Sequence, residues 1–436
     1  MMSVQLVSAT LLFGVFGLMA IGVPLSFAAG ALAILVSYIQ FGPAAVAIAH
    51  KTVYGLATEY VLISVPMFVL MASLLERSSL ARDLYDCLNS IFGRMRGGVA
   101  IITLVISVIL AAISGIIGGE IVLLGLVALP QMLRLKYDPK LAIGTVCAGG
   151  SLGTMIPPSI VLIVYGLAAD VSVQKLFMAS IVPGLMLAGF YLVYVVARCR
   201  LDPAAAPAPS PEDAAPYDRD KFMRGVLPAA TLIVAVFGCI YGGVTSVTEA
   251  ASIAVALTIL IIAMRGEFSA RLLHEALVQT LRACGIILWV TFGAAVLISV
   301  YNLSGGQSFV TELITGLDIS PFVTVLLMMA IFAFLGCFMD WISILLLCIP
   351  IFVPIITTLG YDAVWFGILF SVTMQMSFLT PPFGPAAFYL KSVAPPEISL
   401  QMIFASLWPF MLIQLATLVL LLLFPGIALW LPNLIL

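Results

Sequence analysis

What most limits this chain is a succession of apolar stretches, each about as long as a bilayer core is thick. About 20 apolar residues cross hydrocarbon as an α-helix, and stretches of that kind begin at the first residues, MMSVQLVSATLLFGVFGLMAIGVPLSF, and recur to the end. Composition agrees: 63% of the 436 residues are hydrophobic and 9% are charged, against roughly 45–50% and 25% in ordinary soluble domains. Lipid is therefore the solvent. The N-terminal stretch has no basic region before it and runs straight into a second one, so it reads as a retained span and not as a cleavable signal. The net charge of −2 says little about partners, and no basic stripe or basic helix suggests nucleic acid, so none is expected.

The basic residues set a topology. Ordinary spans are expected at about 4–24, 25–42, 60–76, 141–166, 176–197, 225–243, 249–264, 283–301, 363–390 and 400–424, with two interrupting apolar segments at about 98–132 and 321–357. If each interrupting segment enters and leaves on one side, sixteen Lys and Arg fall inside and only Lys51 and Lys175 outside. That split is what the positive-inside rule demands. It places both chain ends outside.

The two halves match at an offset of 224 residues. Pro130 pairs with Pro354, Tyr137 with Tyr361, Asp138 with Asp362, Pro157 and Pro158 with Pro381 and Pro382, and Tyr165 with Tyr389. SVQKLF (172–177) aligns with SLQMIF (399–404) after a small gap. An odd number of spans in the first copy turns the second upside down. The expected architecture is an all-α polytopic membrane protein with an inverted repeat: residues 1–200 form the first copy and 225–436 the second. Between them lies an inside connector at 201–224, rich in Ala and Pro. Inverted repeats with paired broken helices characterise many secondary transporters, whose sites lie between the copies.

The first interrupting segment carries ISGIIGGE (113–120) at its centre and the second GCFMDW (336–341). Roughly 15 residues on either side of each centre reach most of the way across and back, and Gly115, Gly118 and Gly119 permit a sharp turn. A re-entrant hairpin results; a pair of glycine-kinked spans is the alternative, which the charge split disfavours. Each hairpin precedes a helix broken at Pro-Pro, GGSLGTMIPPS (149–159) and QMSFLTPPFG (375–384). Proline frees the carbonyl four residues earlier. In lipid such a carbonyl must line a polar cavity or bind a cation, unless the break is merely a packing kink. With Ser114, Thr154, Ser159, Ser377 and Thr380 nearby, the carbonyls form a hard-oxygen environment suited to sodium. No Lys or Arg lies mid-span, so an anionic substrate would be held by half-helix N-termini, hydroxyls and bound cations. Glu120 and Asp340 flank the two tips. Either neutralises a cation, carries a proton, or caps a half-helix N-terminus. Glu249, after Thr248, reads as a cap and Asp170 as a loop residue.

The remaining polar chemistry is sparse. His50 and His274, the only histidines, sit beside expected loops, and the seven cysteines show no CxxC pairing, so neither disulfides nor a transition-metal site is expected. No catalytic constellation emerges, so an enzyme is not expected.

Several segments together carry a family resemblance: VPMF (65–68), GRMRGGVA (93–100), ISG (113–115), YDPKLAIG (137–144), SLGTMIPPSIVLIVYG (151–166), VPG (182–184), GGVTSVTEAA (242–251), DAVWFG (362–367) and LTPPFG (379–384). Along essentially its whole length the chain resembles the large membrane subunit (permease, DctM-type) of tripartite ATP-independent periplasmic (TRAP) transporters. The resemblance implies a multi-pass protein of a bacterial or archaeal inner membrane and sodium-coupled import by an elevator mechanism, with no cofactor beyond the coupling ion. It further implies a small membrane subunit as a separate chain, and a periplasmic binding protein that delivers a small organic acid. It places one sodium at Ser114, Gly153, Ile156 and Pro158 and a second at Gly336, Ser377, Thr380 and Phe383. Gly115, Glu120, Thr154, Ser159 and Asp340 are substrate or coupling candidates. Where the family's first tip reads S-G-S-S, this chain has Ser114-Gly115-Ile116-Ile117 with Glu120 nearby. The family's T-P-T-E appears as Ser246-Val247-Thr248-Glu249. The II-GG tip and the segment from MSFLTPPFG to FYLK are similar to a branch that includes carriers for 2-oxo acids and lactate. A stand-alone sodium- or proton-coupled carboxylate carrier is the alternative, told apart by uptake without a receptor; an ion channel would lack saturable, gradient-coupled flux.

Overall fold

A computed structural model of the chain describes residues 2–92, 95–115, 118–207, 219–316 and 319–435. Arg94, the Ile116–Ile117 pair and connector residues 208–218 lie outside them. Among the described residues every regular element is helical. Among the described residues six helices are long and apolar enough to cross a membrane: Tyr60–Arg77, Val173–Leu201, Val247–Met264, Ala270–Leu303, Trp341–Thr358 and Leu400–Leu423. Shorter apolar helices accompany them. The ends follow local chemistry. Ser3, Ser172, Ser269, Ser320 and Ser399 each accept a backbone N–H at the start of a helix, as do Asp138 and Asp362, satisfying one of the donors a helix leaves unpaired there.

The helices form two packed groups. In the first, Val4–Ala20, Leu25–Phe41, Ala44–Ala57, Ser64–Arg77, Val247–Met264 and Ala270–Leu303 pack on one another as a scaffold. Its tightest crossing is between Leu25–Phe41 and Ala270–Leu303. A methyl group at Gly293 would lie 2.4 Å from the Ser26 carbonyl oxygen, so small residues let these backbones touch. Several boundaries differ from the expectation. Ala270–Leu303 is one 34-residue helix, of which the expected span 283–301 is the second half. Ala44–Ala57, Leu80–Phe92, Gly306–Thr315 and Gly426–Ile435 are additional helices. His50 and His274 thus lie within helices and not beside loops.

The second group holds the paired elements. Gly98–Ser114 with Gly119–Arg134, and Pro321–Gly336 with Trp341–Thr358, are helical pairs that pack against themselves. Each is followed by an interrupted helix: Pro139–Gly150, Leu152–Thr154 and Ile160–Ala169 in one copy, Ala363–Leu379 and Pro385–Lys391 in the other. Then come the long helices Val173–Leu201 and Leu400–Leu423. The peptide bonds 157–158 and 381–382 are both cis. Gln375 Nε2 donates to Ser151 Oγ at 3.3 Å, and these positions are 224 apart. After Leu201 the chain stays docked: Ala205 and Ala206 are buried, and the Ala205 carbonyl accepts the Asp138 N–H.

Candidate cation sites at the hairpin tips

At the first tip, Gly98–Ser114 ends because Gly115 takes a left-handed conformation, φ 59°, which L side chains resist. A methyl group there would lie 2.1 Å from the Pro158 carbonyl oxygen. The tip is therefore seated on the Pro-Pro break. Ser114 Oγ donates to Glu120 Oε1, and a methyl group at Gly153 would lie 3.3 Å from that same oxygen. Within the break, Ser159 Oγ donates to the Thr154 carbonyl at 2.6 Å and Thr154 Oγ1 to the Ser151 carbonyl at 3.0 Å. Ser114, Gly115, Glu120, Gly153, Thr154, Pro158 and Ser159 thus come together out of solvent. Ile156 packs toward Gly184 of the long helix Val173–Leu201.

The second tip repeats the arrangement with less cover. A methyl group at Gly336 would sit 2.0 Å from Ser377 Oγ, and Ser377 Oγ donates to the Thr373 carbonyl at 3.0 Å. Thr380 closes Ala363–Leu379; its Oγ1 donates to the Met376 carbonyl at 2.8 Å. Gly336, Asp340, Ser377 and Phe383 border a cavity of about 250 Å³, and Phe383 is exposed. Asp340 caps Trp341–Thr358, accepting the Ser343 N–H at 3.1 Å and the Ser343 hydroxyl. It is exposed.

Both donor sets are hydroxyl, carbonyl and carboxylate oxygens. That chemistry fits a small hard cation and not a thiophilic or imidazole-seeking metal. Glu120 Oε2, buried and without a hydrogen-bond partner among the described residues, is an atom such an ion would satisfy.

Sequence reasoning missed two scaffold contributors. Glu76 lies over Gly119, where a methyl group would fall 1.7 Å from Glu76 Oε1. Gln279 Nε2 donates to Glu76 Oε2 at 3.1 Å, and Arg77 joins Gln279 and Glu275 at 2.9 and 2.7 Å. A carboxylate closing the apolar span VPMFVLMASLLE was the only signal for the first. Glu249, by contrast, forms the expected cap: Ser246 and Glu249 make a capping box at the start of Val247–Met264. This gives Ser246-Val247-Thr248-Glu249 a structural role.

Residues 12–427 match the family described as Tripartite ATP-independent periplasmic transporter, DctM component. The chain belongs to this family. It is a TRAP large permease subunit, a multi-pass inner-membrane protein and not an enzyme. The C4-dicarboxylate TRAP transporter large permease protein DctM of Pseudomonas aeruginosa is 32% identical, over 93% of this chain and 92% of its own length. The sialic acid TRAP transporter permease protein SiaT of Haemophilus influenzae is 27% identical, over 88% of this chain but 62% of its own. Among solved structures, the YdaH transporter of Alcanivorax borkumensis superposes with a TM-score of 0.62 at 19% identity, covering 87% of both chains, a likeness of fold alone.

Proposed function

We propose that this TRAP large subunit couples import of a small organic acid to sodium, moving its hairpin group against the scaffold as an elevator. One observation carries the reading: each tip glycine is pressed onto its own helix break, Gly115 on the Pro158 carbonyl and Gly336 on Ser377. Each contact gathers hard oxygens where a half-helix ends, the arrangement in which unwound backbone coordinates a coupling ion. The substrate is an acid of the 2-oxo or hydroxy type, in keeping with the MSFLTPPFG segment. The C4-dicarboxylate carrier named among the relatives supports a carboxylate substrate. A periplasmic binding protein delivers it, and a small membrane subunit is a separate chain.

The test is thermal unfolding of the purified chain in sodium against equal potassium or choline. A ligand that binds only the folded state stabilises it by RT ln(1 + [L]/Kd), about 2.7 kcal/mol at a hundredfold excess over Kd. The expected result is a saturable, sodium-specific rise that shrinks in Thr380→Phe. Indistinguishable curves at high sodium would overturn the coupling.

A further inference from the structure

We propose that Glu120 is an anionic ligand of the first cation site, so that this site carries its own counter-charge. The inference rests on the sodium coupling proposed above. Glu120 is 2% exposed. Its Oε1 accepts from Ser114 Oγ, while Oε2 has no partner among the described residues. No ion pair joins it to a Lys, Arg or His among those residues. Another carboxyl, Glu76, lies against the neighbouring Gly119; its Oε2 accepts from Gln279, while the adjacent Arg77 is ion-paired to Glu275.

A carboxylate taken out of water costs far more than one hydrogen bond returns, and is retained only when paired or bound to a metal. Without either, a buried carboxyl holds a proton instead; the described residues supply no cation, so a charged Glu120 draws its counter-charge from solution. The space around the carboxylate is shaped for one. Gly153 withholds a side chain that would crowd Oε1, and Gly115 lets the tip settle on the Pro158 carbonyl. One carboxylate among neutral oxygens balances a monovalent ion. Intramembrane acids are kept where they act, and this one sits at the junction of a hairpin tip, a helix break and the scaffold.

The experiment titrates sodium against potassium at constant ionic strength and follows the unfolding temperature of wild type, Glu120→Gln and Glu120→Asp. The sodium concentration giving half the rise is expected to increase by roughly tenfold or more in Glu120→Gln, and by less in Glu120→Asp. In potassium alone Glu120→Gln is at least as stable as wild type, because the cost of burying the carboxyl, met as an unpaired charge or by taking up a proton, has been removed. A midpoint equal to wild type in either folded variant overturns the assignment while leaving sodium coupling in place, and Glu120→Asp decides alone if Glu120→Gln does not fold. A wild type indifferent to sodium sinks the coupling itself, and with it this proposal. A rise produced by calcium or magnesium in place of sodium overturns the monovalent assignment.

Discussion

Gly336 and Gly115 are held by what lies against them, and alanine tests each contact directly. Gly115→Ala adds a left-handed strain to a collision with the Pro158 carbonyl, whereas Gly336→Ala collides with Ser377 Oγ and Cβ without that strain. Overpacking of a filled site typically costs about 1–3 kcal/mol, so both variants are expected to unfold earlier in potassium, Gly115→Ala the more so. Gly17, whose added methyl would meet nothing within 4 Å, is the control: Gly17→Ala is expected to be neutral or to stabilise by up to about 1 kcal/mol, the helix-propensity difference. Unfolding curves of the three variants, each in potassium and in sodium, check this. A reduced sodium response confined to the two tip variants ties the packing to the ion. Equal behaviour of all three would show that the tips are not seated as described.

Between elements, the polar ties on the scaffold gather at Arg265 and Glu267, in the turn joining Val247–Met264 to Ala270–Leu303. Glu267 accepts from the Ser79 backbone at 2.9 Å, the Ser79 hydroxyl at 2.6 Å and Arg265 Nε at 2.9 Å, while Arg265 also pairs with Asp83. Burial alone would raise the Glu267 carboxyl, but the hydrogen bonds from Ser79 and Arg265 outweigh it and hold it below its ordinary 4.5. A carboxyl lowered by folding stabilises the folded chain above its unfolded value and loses that contribution as pH falls through the folded one. Glu267→Gln is therefore expected to cost about 1 kcal/mol at neutral pH, discounted for partial exposure. The gap to wild type closes below about pH 4; a gap independent of pH would contradict the ion pairing. These contacts also show what was legible. The Pro-Pro breaks were found because rare residue types recur 224 positions apart, and the tip glycines because they sit at the centres of the two interrupting apolar segments. Ala44–Ala57 and the first half of Ala270–Leu303 were not, because His50, Lys51, Arg271, His274, Glu275 and Arg282 interrupt the apolar runs by which a span is recognised. Those helices are fixed by packing on their neighbours, which a hydropathy pattern does not record.

For the molecule as a whole, the place where scaffold meets hairpin was invisible to the sequence, since Glu76 and Gln279 are 203 residues apart and fall outside the repeat's identities. The site's inner half was visible: Ser114, Gly153 and Pro158 carry the motif and do converge. Its outer wall was not. That wall is where an elevator would have to slip. Helix Ser64–Arg77 touches both helices of the first hairpin, and Glu76 rests on Gly119, so sliding the hairpin group along the scaffold must break this contact. Spin labels on Val46→Cys, exposed on the scaffold helix Ala44–Ala57, and Leu126→Cys, exposed on the hairpin, report the separation of the two groups in a background lacking the native cysteines. Two distance populations whose ratio responds to sodium are expected. Adding Glu76→Cys with Gly119→Cys and joining them with a short bifunctional reagent is expected to collapse the distribution to one population, and cleavage of the bridge to restore both. A single narrow distance in every cation, bridged or not, would mean that the two groups move as one body, and the elevator reading would fail while family membership stood.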